Sequence, residues 1–355
     1  MSNKKLAKLE SIRGMAALYV VFHHINQLYP FKWNYLNYLF RFGQEAVILF
    51  FLMSGFVIYY SIFSKENQLR DFKSYFVKRF KRIYPLFIIA LLLSYITSCM
   101  YSGKILPPQS EILIGNLLNL QDFSAGKPGV WVDPYYGNLP LWSLSYEWWF
   151  YMIFWIIIKI SITRQFIGVL AISMVGFISY SIFPNSASLI LTYLIVWWTG
   201  AELAKLYLIK GFIRYKDIGP ILIGLSIVSL MLLIPVIRYP GSLQIGLHPV
   251  LELRHFLGSI FFIVIAITWQ HFKFLGFDLI FGIFSRIAPI SFGIYIFHYP
   301  LVKGISYLPI NFPIYIKILI VLLFVGGFSY LMEMKFQKYI NQLGIRTAKV
   351  KMSNS

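Results

Sequence analysis

The stretch SIRGMAALYVVFHHINQLYP, residues 11–30, decides the fold class because it is apolar over a length that can cross a bilayer. It also carries Arg13 near its start and two adjacent histidines, His23 and His24, close to its middle. Ionisable residues inside a membrane are costly and usually mark a functional site. A structural histidine, bonded to a neighbouring helix, is the alternative for either one. The stretch predicts a membrane helix that carries a buried polar site.

The composition indicates that this first helix is one of many. Hydrophobic residues make up 58% of the 355 positions and charged residues only 13%, against about 25% in soluble proteins. Apolar runs of about 20 residues recur along the chain, which predicts an all-α, polytopic transmembrane bundle in a single membrane domain, residues 1–355. We predict ten spans, all within about 12–333 and followed by a basic cytoplasmic tail at 334–355: roughly 12–29, 44–63, 83–102, 141–160, 164–183, 187–209, 217–237, 250–270, 284–305 and 313–333.

The distribution of basic residues predicts the orientation. Most of the 32 lysines and arginines fall on the side that holds the N-terminus, which favours an even number of spans with both termini in the cytoplasm. The net charge of +19 is then explained by topology and by attraction to anionic membrane lipids, so no nucleic-acid partner is expected. The single cysteine, Cys99, excludes an internal disulfide, and we expect no metal.

The longest stretch between spans, residues 104–140, is predicted to lie on the outer side. It contains a short apolar segment followed by a polar stretch with Gly, Pro and aromatic residues. Long loops of this kind often carry function. Two interpretations stay open: a sugar-binding surface, or an ordered lid over the bundle.

Helical geometry relates Arg13 to His24. The two residues are eleven positions apart, which at about 100° per residue is about 20° beyond three full turns. They therefore share a helix face, with Arg13 at the cytoplasmic interface and His24 about 16 Å deeper. His23 points about 100° away from that face.

Other polar residues are predicted at a depth comparable to that of His24. Glu147 is the most deeply placed carboxylate, about two turns into the fourth span, and His298 lies about three turns from Arg286 in the ninth. A histidine and a carboxylate without a nearby cation favour pairing, which raises the basicity of the imidazole. Three serines lie near the same depth: Ser54, Ser143 and Ser145.

An arginine pair precedes the third span, in the inner loop DFKSYFVKRFKRIYP. Arg79 and Arg82 are spaced i, i+3 and share a face, and guanidinium groups suit phosphate because they donate two parallel hydrogen bonds. Contact with lipid headgroups is the alternative. Together with the Arg13–His24 face, the pair favours a ligand with a phosphate-rich head and a long thin arm, such as acyl-coenzyme A.

These elements together resemble the acyltransferase 3 family of integral membrane acyltransferases. Five motifs carry the resemblance over roughly residues 10 to 333: Arg13 and His24 in IRGMAALYVVFHH, the second-span GQEAVILFFLMSGFVIYY, Arg79 and Arg82 in RFKR, Ser143 and Glu147 in LWSLSYEWWFY, and the late SFGIYIFHYP. Two positions depart from the family pattern, because Ala46 stands where a glycine is frequent and Ile48 where an acidic or polar residue is frequent.

The resemblance implies a multi-pass enzyme of the bacterial cytoplasmic membrane. It would transfer an acyl group, most often acetyl, from cytoplasmic acyl-CoA to a hydroxyl of a surface polysaccharide such as an O-antigen, or of a lipid-linked sugar. Among the residues present, the resemblance and the depths above assign His24 and Glu147 to catalysis and Arg13, Arg79 and Arg82 to the CoA phosphates. The substrate would contact Ser54, Ser143, Ser145 and His298.

Two points stay open from the residues alone. His24 acts either as general base on the acceptor hydroxyl or as an acyl-imidazole carrier, and Glu147 either orients His24 or helps to deprotonate the acceptor. The competing class is a transporter or flippase for a lipid-linked sugar, since intramembrane His and Glu also form proton relays. A glycan polymerase is a further alternative, and dependence on acetyl-CoA separates both from an acyltransferase.

Overall fold

The computed structural model describes residues 2–64, 71–160, 165–240, 244–307 and 311–342. Within those ranges the chain forms helices joined by connecting segments, the longest of them between α5 and α6, with one isolated β-bridge between Gln121 and Val132. The thirteen α-helices are α1 Ser2–Leu28, α2 Asn34–Leu39, α3 Gly43–Phe63, α4 Phe72–Ser102, α5 Ser110–Leu117, α6 Trp142–Lys159, α7 Gln165–Ile182, α8 Ser186–Lys210, α9 Tyr215–Arg238, α10 Val250–His271, α11 Phe277–Phe281, α12 Ser291–Lys303 and α13 Ile314–Tyr330. Helical structure continues from α13 to residue 342 through a π-helical turn, Leu331–Phe336.

The all-α membrane architecture is confirmed, and the span count is confirmed only in part. A helix lies at each of the ten predicted spans, but among the described residues eight helices are long and apolar enough to cross a membrane. A ninth span results if Phe277–Arg286 and Ala288–Lys303, which meet at a 43° bend, count as one. Helix α1 is not among them because His23, His24 and their polar neighbours lower its apolar character. Of the predicted tail, residues 343–355 lie outside the described ranges.

Helix α8 forms the centre of the bundle. It is the most buried of the candidate spans, because 78% of its 18-residue apolar stretch is buried. Two glycines let it approach α3 closely, because a Cβ added to Gly55 would overlap the Trp197 carbonyl and one added to Gly200 would overlap the Leu52 carbonyl. Small residues at such crossings are the usual means of packing helices in a membrane. Trp197 and Trp198 fill the core around this crossing.

Helix α1 is packed inside the bundle, against α3 on one side and α12 on the other. Gly14 permits a further close approach, since a Cβ there would overlap the carbonyl of Phe284 in the 3-10 segment Gly282–Arg286. The inward side of α1 is apolar, with Ala17, Val21 and Ile25 fully buried. This packing holds the polar residues of α1 in fixed positions.

Helix α4 corrects the prediction of an inner loop before the third span. It begins at Phe72, so Arg79 and Arg82 lie within the helix rather than ahead of it. Pro85 lacks an N–H and leaves the carbonyl of Lys81 without its helical partner. The Gln337 side-chain amide donates to that carbonyl at 2.7 Å. Gln337 thus replaces the missing helical hydrogen bond of Lys81, between Arg79 and Arg82.

The segment 104–140 is ordered and packs on the bundle. It contains α5 and two 3-10 turns, and a fully buried ion pair joins Lys127 Nζ to Asp122 Oδ1 at 2.8 Å. The Tyr146 hydroxyl of α6 donates to the other carboxylate oxygen at 2.6 Å, and the Lys127 ammonium lies 3.9 Å from the ring centroid of Trp142. The lid interpretation is consistent with this packing; a role in sugar binding stays a prediction.

Candidate active site

A cavity of about 510 Å³ lies among α1, α3, α4, α6 and α12. It opens at the end of the bundle where α1 and α4 begin, because the exposed residues Lys78 and Asn341 line it there. Six of the nine predicted site residues line this one cavity: Arg13, Ser54, Arg79, Arg82, Ser143 and Glu147. The fold therefore brings these six residues, from α1, α3, α4 and α6, to the wall of one cavity.

Glu147 lies deep in the cavity, about three helical turns from the end of α6 at Lys159. Its Oε1 accepts hydrogen bonds from the Ser54 hydroxyl of α3 at 2.7 Å and from the hydroxyl of Tyr151. Tyr151 is one turn further along α6, at i+4, so it shares the face of Glu147. The predicted pairing of Glu147 with His24 is wrong in this structure, because two hydroxyls hold the carboxylate instead.

Arg79 is a cation without an anionic partner. Within the described ranges it makes no ion pair or hydrogen bond, and its Nε is buried. Its guanidinium lies between the rings of Tyr75 and Tyr151, 5.6 Å from each centroid. Because a buried N–H group is expected to have a partner, this arginine has donors to offer to a ligand in the cavity.

Arg82 differs from Arg79 in being paired. Its Nη1 lies 2.5 Å from Glu333 Oε2 and its Nη2 donates to Oε1 at 3.4 Å. Glu333 also accepts from the backbone N–H of Gly293 at 3.1 Å and sits on the π-helical turn after α13. Arg82 thus lines the cavity in a fixed orientation, and its charge is already partly balanced.

Arg13 is also held in place. Its Nε donates to the Ser291 hydroxyl at 3.1 Å, its Nη2 donates to the Ala288 carbonyl at 3.0 Å, and Glu10 pairs with it at 2.8 Å. These contacts anchor the middle of α1 to the start of α12 and keep the guanidinium at the cavity wall. Arg13, Lys78, Arg79 and Arg82 place four cations at this end of the cavity, where Glu10 and Glu333 pair with two of them.

His24 and His298 form a buried pair, as their comparable predicted depth allowed. His24 Nδ1 lies 2.9 Å from His298 Nε2, and His298 Nδ1 lies 3.0 and 2.8 Å from the carbonyl oxygens of Ile294 and Tyr295. The adjacent His23 faces elsewhere, as its rotation predicted, and its Nδ1 lies 2.7 Å from the Phe40 carbonyl oxygen. The two neighbouring histidines therefore have different surroundings.

The cavity stops one helical turn short of the histidine pair. Tyr295 lines the cavity and precedes His298 by three residues on α12. Its hydroxyl lies 2.7 Å from the Ser143 hydroxyl, and its ring packs against Phe50, another lining residue, at a centroid distance of 5.6 Å. Tyr295 and Phe50 thus form the boundary between the cavity and the histidines.

Ser145 is the predicted site residue that the structure places elsewhere. Its hydroxyl donates to the carbonyl oxygens of Gln121 at 2.7 Å and Trp142 at 2.8 Å, so it ties α6 to the 104–140 segment. It does not line the cavity that holds Ser143. Two positions along a helix are about 200° apart, which explains why the two serines face opposite ways.

Sequence reasoning missed several residues of the site. Tyr151 had a usable signal, because it stands four positions after Glu147 on a predicted helix. Glu333 and Gln337 had none, since their partners Arg82 and Lys81 lie about 250 positions earlier in the chain. Tyr295 and Phe50 resembled ordinary packing residues of apolar spans.

Comparison with known families matches residues 6–333 to the acyltransferase 3 family, described as an acyltransferase domain. The chain belongs to this family. It is 32% identical to Acyltransferase MdmB of Streptomyces mycarofaciens over 156 residues, which cover 42% of this chain and 38% of that protein. It is 37% identical to Protein 2 in picA locus of Rhizobium radiobacter over 95 residues, which cover 26% of this chain and 46% of that protein.

The chain thus matches less than half the length of each of these curated relatives. No solved structure gives a significant match to it.

Proposed function

We propose that this member of the acyltransferase 3 family is an acyl-CoA-dependent O-acyltransferase of the bacterial cytoplasmic membrane. Its acyl group is acetyl, its donor is cytoplasmic acetyl-CoA, and its acceptor is a hydroxyl of a cell-surface glycan or lipid-linked sugar on the outer side. The observation that carries the proposal is Arg79, a cation without an anionic partner among the described residues, on the wall of a cavity of about 510 Å³.

The donor would enter from the cationic end of the cavity. Arg79 offers its free N–H groups to a CoA phosphate, while Arg13 and Arg82, fixed by Ser291 and Glu333, add positive charge around it. The cavity volume lies within the range of about 300–1,000 Å³ that is usual for small-molecule sites. The pantetheine arm would then extend towards Glu147 and the boundary at Tyr295.

The chemistry would take place at the inner end of this path. In direct transfer, the acceptor oxygen forms a bond to the acyl carbon and the carbon–sulfur bond of the thioester breaks. The hydroxyl proton moves to His24 and from there to the departing thiolate. In the two-step form, a His24 nitrogen bonds to the acyl carbon as the carbon–sulfur bond breaks and the thiolate leaves. The acceptor oxygen then bonds to that carbon as the carbon–nitrogen bond breaks, and the hydroxyl proton passes through His24 to the thiolate. Both forms need the Tyr295–Phe50 boundary to open towards His24.

Glu147 would bind the acceptor. One of its oxygens is held by Ser54 and Tyr151, and the carboxylate lines the cavity, where it can accept from a substrate N–H or O–H. Since the carboxylate does not contact His24, the role we propose for it is to bind and orient the acceptor, whose proton goes to His24, rather than to orient the imidazole. Ser143, bonded to Tyr295, would contact the substrate at the same depth.

Transfer of radiolabelled acetyl from acetyl-CoA tests this function in membrane vesicles that contain the full chain and its native glycan lipids. We expect label in the lipid or glycan fraction with wild type and none with His24→Ala at equal protein in the membrane. Label that persists with His24→Ala would remove His24 from the chemistry. Absence of label with folded wild type, together with movement of the sugar lipid across the membrane, would favour the transporter class.

A further inference from the structure

The hydrogen bonds around His298 have a definite direction. The carbonyl oxygens of Ile294 and Tyr295 only accept, so the His298 Nδ1 that faces them carries the hydrogen. In a neutral imidazole the other nitrogen then has the lone pair, and His298 Nε2 accepts from His24 Nδ1 at 2.9 Å. It follows that His24 carries its own hydrogen on Nδ1.

The neutral form of the pair follows from its surroundings. His298 has no exposed surface, and within the described ranges neither histidine has a carboxylate as hydrogen-bond partner. A charged imidazolium without an anionic partner is strongly disfavoured in such a site. The neighbouring rings are those of Tyr299, edge-on to His24 at a centroid distance of 4.9 Å, and of His23 at 5.1 Å.

This chain of hydrogen bonds leaves one nitrogen free to react. His24 Nε2 has the lone pair and makes no hydrogen bond within the described residues. An imidazole that donates through one nitrogen to a fixed acceptor has a defined tautomer and orientation, and its other nitrogen becomes more basic. Hydrolytic triads place a carboxylate behind the histidine for this purpose. Here a neutral imidazole takes that place, which adds no charge to the membrane interior.

We propose that His298 is the positioning residue of the acyl transfer: it accepts from His24 Nδ1–H and so presents His24 Nε2 to the reacting groups. This rests on the proposed function. During transfer the acceptor proton goes to His24 Nε2 as the ester bond forms and the thioester bond breaks, and the thiolate then takes that proton. His298 gains and loses no proton; it keeps the tautomer through the cycle and shares the transient positive charge of His24.

The test compares His298→Gln with His298→Leu in the full chain in nanodiscs. A glutamine amide can reach the place of Nε2 and accept from His24, whereas leucine cannot. We expect His298→Leu to lower the transfer rate about 100-fold, with the acetyl-CoA dissociation constant within twofold of wild type. The transfer rate of His298→Gln should be at least about tenfold higher than that of His298→Leu. A purely structural role would instead lower the folded fraction and acetyl-CoA binding together. Equal losses in both variants, or no loss with leucine, would overturn the proposal.

Nitrogen NMR of ¹⁵N-histidine-labelled wild type gives a readout that does not depend on turnover. His24, identified by the signals missing from His24→Ala, should have its hydrogen on Nδ1 and its lone pair on Nε2. A hydrogen on Nε2 would contradict the role of His298, even if acetyl transfer is normal. Wild type that has the expected tautomer but neither binds acetyl-CoA nor transfers acetyl would instead refute the proposed function, and with it the role of His298 in transfer.

Discussion

The Ser54 hydroxyl of α3 donates to Glu147 Oε1 of α6 across a distance of 2.7 Å. This contact joins two helices at the inner part of the cavity, and the Tyr151 hydroxyl reinforces it from one turn away. A carboxylate held in this way keeps its position while it binds a substrate. The contact also explains why Glu147 does not pair with a histidine, since its donors are already present on α3 and α6.

We predict that Glu147→Gln lowers the rate of acetyl transfer about 10- to 100-fold, because a neutral amide replaces the charged hydrogen bond that holds the acceptor hydroxyl. The variant keeps the shape of the side chain and an oxygen for Ser54, so acetyl-CoA binding should change less than threefold. Rate and binding are measured on the same nanodisc preparation. Glu111→Gln, on the exposed start of α5, is the matched control and should behave as wild type. A normal transfer rate for Glu147→Gln would show that acetyl transfer does not need the Glu147 carboxylate.

Arg82 and Glu333 should contribute to stability, whereas Arg79 should not. Arg82→Gln leaves the Glu333 carboxylate, whose side chain is only 3% exposed, without its cation, and should destabilise the fold by about 1–3 kcal/mol. The double variant Arg82→Gln/Glu333→Gln should recover part of that loss. Arg79→Gln leaves no anion unpaired and should shift thermal unfolding by less than Arg82→Gln. A larger decrease in unfolding temperature for Arg79→Gln than for Arg82→Gln would contradict the structural role of Arg82 and the free charge of Arg79.

The α3–α8 crossing should tolerate no added side chain. We expect Gly55→Ala to destabilise the protein by about 1–3 kcal/mol, because its Cβ would overlap the Trp197 carbonyl and force the helices apart. Gly326→Ala in α13 is the control, since nothing lies within 4 Å of the added Cβ. The midpoint temperature of thermal unfolding in detergent should therefore be lower for Gly55→Ala and unchanged or higher for Gly326→Ala. Equal effects at the two positions would contradict the close crossing.

The buried ion pair of the 104–140 segment gives a further stability prediction. Lys127→Met would leave Asp122, 2% exposed, with the Tyr146 hydroxyl but without its cation, and should destabilise the protein by about 3–5 kcal/mol. Lys104→Met changes the same charge at an exposed position and should have no measurable effect. Limited proteolysis of residues 104–140 and thermal unfolding report the loss. If the protease cleaves both variants within residues 104–140 at the wild-type rate, the ion pair does not hold this segment in place.

Residues related by helical periodicity were predictable from the sequence. The angular relation between Arg13 and His24, and the different direction of His23, follow from about 100° per residue. The same arithmetic would have separated Ser145 from Ser143. Depth along a span predicted that His298 and Glu147 lie away from the ends of their helices, since hydropathy sets where each span begins and ends.

Partners across the bundle were not predictable in the same way. Which helix lies against which depends on close crossings such as that of Gly55, and these decide that Glu147 meets Ser54 rather than His24. The pairing of Arg82 with Glu333 joins residues 251 positions apart, and no local pattern indicates it. The eight or nine candidate spans of the described residues differ from the predicted ten for a related reason: α1 is too polar to pass as a span on composition, and its surroundings in the bundle accommodate that polarity.

Binding of acetyl-CoA by isothermal titration calorimetry is the most direct measurement of the central claim that the cavity is a donor site. The full chain in nanodiscs would be compared with Arg79→Gln and with Arg286→Gln, a control that removes the same charge at an exposed position. We predict saturable binding by wild type and Arg286→Gln, and about 10- to 100-fold weaker binding by Arg79→Gln, since a charged hydrogen bond is lost. Equal affinity in all three, or no binding by folded wild type, would contradict it.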